Sequence, residues 1–255
     1  MNVLRQIGHA MRIRLTRAFP AKPWRVSLSA PIATLTFDDF ARSAWTEGGR
    51  IAEEAGARAT YYVCGGLCGQ TRDGVEYFTE ADLAALHRRG HEVGCHTFNH
   101  TWLPGTPASR IESEFARNAA FIRGITGQQK INSFAYPCGA ASIGSKLLTS
   151  RHFVTCRGIE PGINSGWTDL SQLRAVCLEP AILKDFPIAR LVDEVCASRG
   201  WLILITHDVS PHPTPYGCTP DVLGSALEAI RQAGIEFRTV EQAISEMRLP
   251  DAATP

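Results

Sequence analysis

Apolar residues in this chain fall into short β-rich runs separated by stretches of helical spacing, and the two alternate along most of its length. Residues 32–37 read as a first strand, with Ile, Leu and Phe separated by Ala and Thr, and a helical stretch follows that stops near Gly56. Residues 60–63, 92–95, 131–136, 152–156, 175–178 and 235–238 read as further strands. Residues 201–206, WLILIT, are almost continuously apolar, as in a parallel strand buried on both faces. Thr79 and Asp82 predict a capping box, with Gly90 at the left-handed helix end. Ser109 and Glu112 open another helix, which ends near Gly127; one from about Pro187 stops at Gly200. Thr219 and Pro220 place a cap and a proline at a helix start that Gly234 closes, and a final helix runs to about Met247. Seven or eight such strand–helix alternations predict an α/β fold with a parallel sheet.

An open doubly wound sheet and a closed barrel both fit that count, and the polar residues separate them. Asp38 and Asp39 end the first strand, His96 ends the third, Tyr136-Pro137-Cys138-Gly139 ends the fourth, and His207 ends WLILIT. Polar groups at the carboxyl ends of strands from the whole chain predict a barrel of seven to eight strands. An open sheet gathers its ligands at one switch point.

A chain of 255 residues suits one such barrel, predicted over residues 31–250, and can bury its core without disulfides. The net charge of +1 leaves no global attraction to nucleic acid, and no apolar run reaches the roughly 18 residues of a membrane span. Residues 1–30 form a basic arm: Arg5, Arg12, Arg14, Arg17, Lys22 and Arg25 precede Phe37 with no acid among them. Arginines interrupt every candidate apolar core of an export signal. The arm reads as a solvated tail packed along the barrel, or as a basic amphipathic segment lying on an anionic membrane. Eight scattered cysteines without an export signal predict reduced thiols and a cytoplasmic protein, at the inner face of the membrane if the arm binds there.

The chemistry rests on combinations. Two adjacent carboxylates, Asp38 and Asp39, can divide work between cation binding and proton transfer, although an Asp pair also serves to cap a helix. His96 and His100, four apart, sit on one face if the segment is helical, roughly 6 Å apart along its axis. With one carboxylate they make a hydrolytic metal site. His87 and His91 share the spacing but straddle Gly90, so their rings are not expected to converge. His207 reads as an acid–base group or a core histidine. The 136–139 turn offers backbone N–H groups suited to an oxyanion.

Taken together and in order, these segments resemble the NodB-homology polysaccharide deacetylases, carbohydrate esterase family 4. Thr36-Phe37-Asp38-Asp39 is similar to that family's first motif, and His96-Thr97-Phe98-Asn99-His100 to its second, H-S/T-x-x-H. Ala135-Tyr136-Pro137-Cys138-Gly139 resembles its third, R-x-P-Y/F-G, and residues 202–207 its fifth, L-x-L-x-H, with one extra residue before the histidine. The likeness spans about residues 32–240. Residues 37–43 also resemble the subgroup acting in bacterial exopolysaccharide and holdfast synthesis.

The resemblance implies a distorted barrel of NodB type that removes N-acetyl groups from N-acetylhexosamine residues of a surface polysaccharide or its lipid-linked precursor. It implies Asp39, His96 and His100 as ligands of zinc or of Co2+, Ni2+ or Mn2+. It implies Asp38 as base, His207 as acid, the Cys138 N–H at the oxyanion, and an Asp orienting His207, matched best by Asp169 with Glu160 as rival. Two departures stand out: Ala135 replaces the Arg expected beside the base, leaving Arg42 and Arg157 as candidate partners, and Cys138 replaces an aromatic. Competing readings are a metal-independent amidohydrolase acting on a small cyclic amide and an inactive carbohydrate-binding barrel.

Overall fold

The computed structural model describes residues 16 and 18–247; residues 1–15, on which the amphipathic reading of the arm rests, lie outside the described residues. In chain order the strands are β1 (Pro23–Val26), β2 (Ile32–Asp39), β3 (Thr60–Val63), β4 (Thr71–Arg72), β5 (Val75–Glu76) and β6 (Glu92–Cys95). They continue with β7 (Ser133–Ala135), β8 (Thr155–Arg157), β9 (Gly166–Asp169), β10 (Val176–Cys177), β11 (Trp201–Thr206) and β12 (Glu236–Phe237). The main sheet runs β10-β11-β2-β3-β6-β7-β8, all parallel, and β12 pairs with the start of β2 below β3. The sheet curls into a half-barrel whose edges approach through a parallel bridge between Arg157 and Leu173.

Period-2 alternation explains how both faces are filled. Ala33, Leu35 and Phe37 of β2, with Leu202 and Leu204 of β11, join the large cluster that includes Leu83, Ile122, Leu191, Leu223 and Ile230 from the surrounding helices. Ile32, Trp201, Ile203 and Ile205 face the other way, into a second cluster with Tyr62, Ala135 and Val154. Val240, Ala243 and Ile244 of the last helix, Val240–Glu246, belong to that inner cluster, and the Val240 N–H bonds the Thr60 hydroxyl at 3.0 Å. This helix therefore closes the amino end of the barrel and leaves the carboxyl end for chemistry.

Most predicted punctuation matches the structure. Thr79 and Asp82 form the capping box of helix Glu80–Arg88, and Gly90 is left-handed. The long helix, Ala108–Thr126, instead starts after Pro107 without a side-chain cap, so Ser109 and Glu112 lie inside its first turns. The stretch after β2 is split into a wide π-type turn, Ala44–Gly49, and a short helix, Arg50–Glu54. Close approach explains the glycines there, since a Cβ on Gly48 would lie 2.8 Å from the Phe37 ring. Pattern reading missed the β1–β9 ribbon and the β4–β5 hairpin, which are short and half exposed. The ribbon and Lys146, which donates to the carbonyls of Thr16 (2.8 Å) and Phe19 (2.7 Å), tie the described part of the arm to the barrel. No helix among the described residues is long and apolar enough to cross a membrane.

Candidate active site and metal centre

Strand parity sets the first two acids apart. Asp38 follows Ile32, Thr34 and Thr36 onto the inner face, and is 3% exposed. Parity alone would send Asp39 out among the helices with Phe37. The chain breaks alternation there: Asp39 and Phe40 both adopt left-handed backbone, φ 60° and 65°, and the Phe40 N–H bonds the Asp38 carbonyl. Phe40 takes the core position, stacked on Phe78, and the Asp39 carboxylate is freed toward the mouth. Left-handed non-glycine residues cost about 1–3 kcal/mol each and persist where packing over-determines them.

The histidine pair is built by a bend, not by the helical turn the spacing suggested. The His96 N–H extends the sheet onto Val63 O at 3.1 Å, after which Thr97 and His100 are left-handed, φ 61° and 52°. The Thr97 hydroxyl accepts the Thr101 N–H at 2.8 Å, and Glu114 receives both the backbone and amide N–H of Asn99 at 2.7 Å. The rings end with centroids 5.1 Å apart, each presenting Nε2 at 3.5 Å from Asp39 Oδ1. His96 Nδ1 lies 2.7 Å from the Ala135 carbonyl, which can only accept, so the hydrogen sits on Nδ1 and the Nε2 lone pair is free. Burial pushes the His96 imidazole down to about 4, countered in part by Asp38 and Asp39, so the ring is neutral near pH 7. The donor atoms of Asp39, His96 and His100 lie within 4.8 Å of one another, the only such group among the described residues. Two neutral-imidazole nitrogens and one carboxylate suit a divalent ion such as zinc. The buried Cys64 thiol points at Asp39 Oδ1 (3.7 Å) and donates to the His96 carbonyl (3.1 Å).

Asp38 finds its partner on the adjoining strand. Arg157 Nη2 donates to Asp38 Oδ1, Nη1 donates to Gly158 O at 3.0 Å, and the guanidinium lies 5.0 Å from the Tyr62 ring centroid. Arg157 is fully buried and sits opposite Ala135 in the β7–β8 register. The cation expected at position 135 is thus supplied from the next strand at the same level, and the small Ala135 side chain leaves the space. Arg42, the other candidate, pairs with Glu76 and Asp82. Burial raises the Asp38 pKa, but the Arg157 charge, with His96 and His207 adding, outweighs it and holds the carboxyl below the usual range. The reciprocal balance holds Arg157 above its ordinary value against its own burial.

His207 leaves β11 at the mouth with Nδ1 3.1 Å from the Tyr216 carbonyl, so Nδ1 again carries the hydrogen and Nε2 is the outward nitrogen. The expected carboxylate partner is corrected by this contact. Asp169 instead holds Lys146 Nζ (2.7 Å), the Ser171 hydroxyl (2.6 Å) and the Lys22 N–H (3.0 Å), anchoring the ribbon. Glu160 lines a groove on the barrel flank with Trp167 and Arg174. A backbone carbonyl carries no sequence signal, so Tyr216 was not legible as the orienting residue. Cys138 is exposed and left-handed (φ 56°), followed by Gly139 (φ 62°), where a Cβ would overlap Ile159 at 2.3 Å. Burial raises the Cys138 thiol pKa and the Asp39 charge adds to it, consistent with a position beside the trio. His91 is satisfied by the Ala59 N–H (3.1 Å) and Glu53 (3.1 Å), away from this cluster.

A family profile described as polysaccharide deacetylase matches residues 25–152. The fold is similar to a family 4 acetyl xylan esterase from Clostridium thermocellum solved with cobalt, at 22% identity and TM-score 0.62 over 87% of this chain and 94% of that one. It is similar to a peptidoglycan deacetylase from Bacillus subtilis, at 17% identity and TM-score 0.55 over 88% and 94%. It is also similar to a family 4 pseudoenzyme, at 16% identity and TM-score 0.57 over 89% and 72%. Compared with curated protein sequences, the chain matches none.

Proposed function

The chain belongs to the polysaccharide deacetylase family, and from that premise we propose that it is a metal-dependent N-deacetylase acting on N-acetylhexosamine residues of a bacterial surface polysaccharide or its precursor. The observation that carries the reading is the convergence of Asp39, His96 and His100 beside a buried, ionised Asp38 clamped by Arg157. A divalent cation held by the trio would polarise the acetamide carbonyl and make water more acidic. Asp38 accepts a proton from the attacking water, and the low dielectric around it keeps bulk water from competing. The backbone N–H of Cys138, a left-handed residue close enough to Asp39 to feel its charge, would stabilise negative charge on the carbonyl oxygen. His207, with its Nδ1 hydrogen held by the Tyr216 carbonyl, acts as acid in its doubly protonated form: it gives the Nε2 proton to the departing nitrogen as the C–N bond breaks, leaving acetate, a free amino sugar and a neutral imidazole. An amine leaves poorly unless protonated, so a residue able to pass it a proton is what amide cleavage requires. Eight free cysteines agree with a reducing compartment. An inactive carbohydrate-binding barrel would have no use for a buried base, its cation and a facing acid together.

The test is acetate release from N-acetylglucosamine oligomers and from acetylated xylan, before and after chelation and return of Zn2+ or Co2+. We expect release from the oligomers that chelation abolishes and metal restores. Release that survives exhaustive chelation would favour the metal-independent amidohydrolase.

A further inference from the structure

Five of the seven large apolar or aromatic side chains left exposed among the described residues belong to one region of the surface: Phe19, Ile143, Leu147, Ile159 and Trp167. We propose that this region, with the basic arm that starts from it, docks on an anionic lipid surface and carries the mouth of the barrel to the headgroups. The docking goes beyond the deacetylase reading and stands without it; only its consequence for the substrate rests on that reading.

Hydrogen bonds and close packing tie the five together. In helix Ile143–His152, Ile143, Leu147 and Arg151 are exposed at a four-residue spacing while Ser145, Lys146 and Thr149 are buried, so they form one outward stripe. Lys146 holds the arm against this helix through the carbonyls of Thr16 (2.8 Å) and Phe19 (2.7 Å). The same ammonium pairs with Asp169 (2.7 Å), which ends β9, the strand of Trp167. Trp167 is 76% exposed, faces Arg25 in the β1–β9 register, and lines a groove with Ala18, Pro20 and Glu160. Ile159 lies over Gly139, where a Cβ would sit 2.3 Å from its side chain. Single exposed apolar residues are ordinary, whereas a grouped set marks a surface that meets something apolar.

Charge selects the partner. The 25 acidic residues leave two long stretches untouched, 1–37 and 115–159, and Phe19, Ile143, Leu147 and Ile159 all lie within them. Asp169, beside Trp167, is neutralised by Lys146. Residues 1–15 contribute Arg5, Arg12 and Arg14 among Val3, Leu4, Ile7, Met11, Ile13 and Leu15, and they join the chain at Thr16, on this same face. Two copies meeting symmetrically here would set basic residues against basic residues. An anionic bilayer satisfies both features, because headgroups take the charges while the interface takes indole and aliphatic side chains. Stable attachment of a peripheral protein needs two such signals together. Ile159 packs on the 137–139 turn and Ile143 opens the helix that follows it, so the docked face carries the Cys138 lip of the site to the lipid. On the deacetylase reading, the substrate reached there is the lipid-linked precursor.

The experiment is co-sedimentation of the full chain with vesicles of phosphatidylcholine, alone and with phosphatidylglycerol added. Two variants are compared with the parent: Leu147→Ser with Trp167→Ser, and Arg5→Gln, Arg12→Gln and Arg14→Gln together, the unfolding midpoint of each being checked. We expect binding only where phosphatidylglycerol is present, weakened about tenfold by the Ser pair and about hundredfold by the Gln triple. Added salt should weaken it further, and Trp102→Ser, exposed on another loop, should leave it unchanged. No binding, equal binding to both vesicles, or an equal loss in Trp102→Ser would overturn the proposal. Full binding by the Ser pair would refute the docking face. A parent dimer that the Ser pair dissolves, with no vesicle binding, would assign the face to a second copy instead. Failure to release acetate from soluble N-acetylglucosamine oligomers would count against the deacetylase reading and leave the docking result standing.

Discussion

Two of the buried carboxylates, Glu92 and Asp38, lie toward opposite ends of the strands, and they are treated in opposite ways. Glu92 opens β6 at the amino end and receives three neutral donors: the Thr60 hydroxyl (2.7 Å), the Ser133 hydroxyl (2.6 Å) and the Glu241 N–H (2.8 Å). Burial still wins there, and its pKa is raised. Asp38 lies at the carboxyl end, and despite equal burial its pKa is lowered because a guanidinium and two imidazoles face it. Next to Glu92 the left-handed position, Gly90, is a glycine, whereas around the second site the non-glycine residues Asp39, Thr97, His100 and Cys138 are left-handed. Neutral hydrogen bonds are enough to lock strands to a helix. Keeping a charge ready for chemistry takes a counter-charge, and strained backbone aims its neighbours.

The largest effect should come from Arg157→Met, which leaves Asp38 as an uncompensated buried charge and should cost about 3–5 kcal/mol in denaturant unfolding. The comparison sharpens if Ala135→Arg in the Arg157→Ala protein recovers part of the lost stability and turnover, since positions 135 and 157 are register partners. Arg157→Met unfolding like the parent would show that the pair is not the buried clamp described.

Next in size is the pH response of metal-free protein. The His96 pKa is depressed from 6.5 to about 4, so its contribution is complete above 6.5 and is lost as pH falls through 4. At 1.36 kcal/mol per unit the swing is at most about 3 kcal/mol. His96→Gln should flatten the unfolding free energy over that window, and an unchanged slope would break the assignment.

The smallest effect is expected at the other end. Glu92→Gln removes a raised pKa, whose stabilising part is present below the unfolded value and lost as pH rises through the folded one. The Gln variant should therefore gain stability relative to the parent as pH rises, by no more than about 1–2 kcal/mol, with acetate release unaltered. A large loss of turnover would erase the contrast between the two ends.

The fold was legible because WLILIT and its parallel partners are buried on both faces, and because Thr79, Gly90, Thr219 and Gly234 punctuate the helices by local chemistry. The candidate metal trio was legible as residue types at and just beyond strand ends. Its geometry was not, since a bend at Thr97 and a reversal at Asp39 depend on packing by Phe40 and Glu114. Arg157 could be named only as one candidate of two, because register with Ala135 is a tertiary fact. Asp169 misled the reading: an Asp near a Trp fits the pattern, but Lys146 on a neighbouring helix claims it.

The most direct measurement compares acetate release from N-acetylglucosamine tetramer by metal-loaded parent and by Asp38→Asn, the metal content of each being checked. The account predicts equal metal occupancy and a fall in kcat of roughly 10²- to 10⁴-fold, the usual contribution of a positioned base. Undiminished kcat in the Asn variant would contradict it.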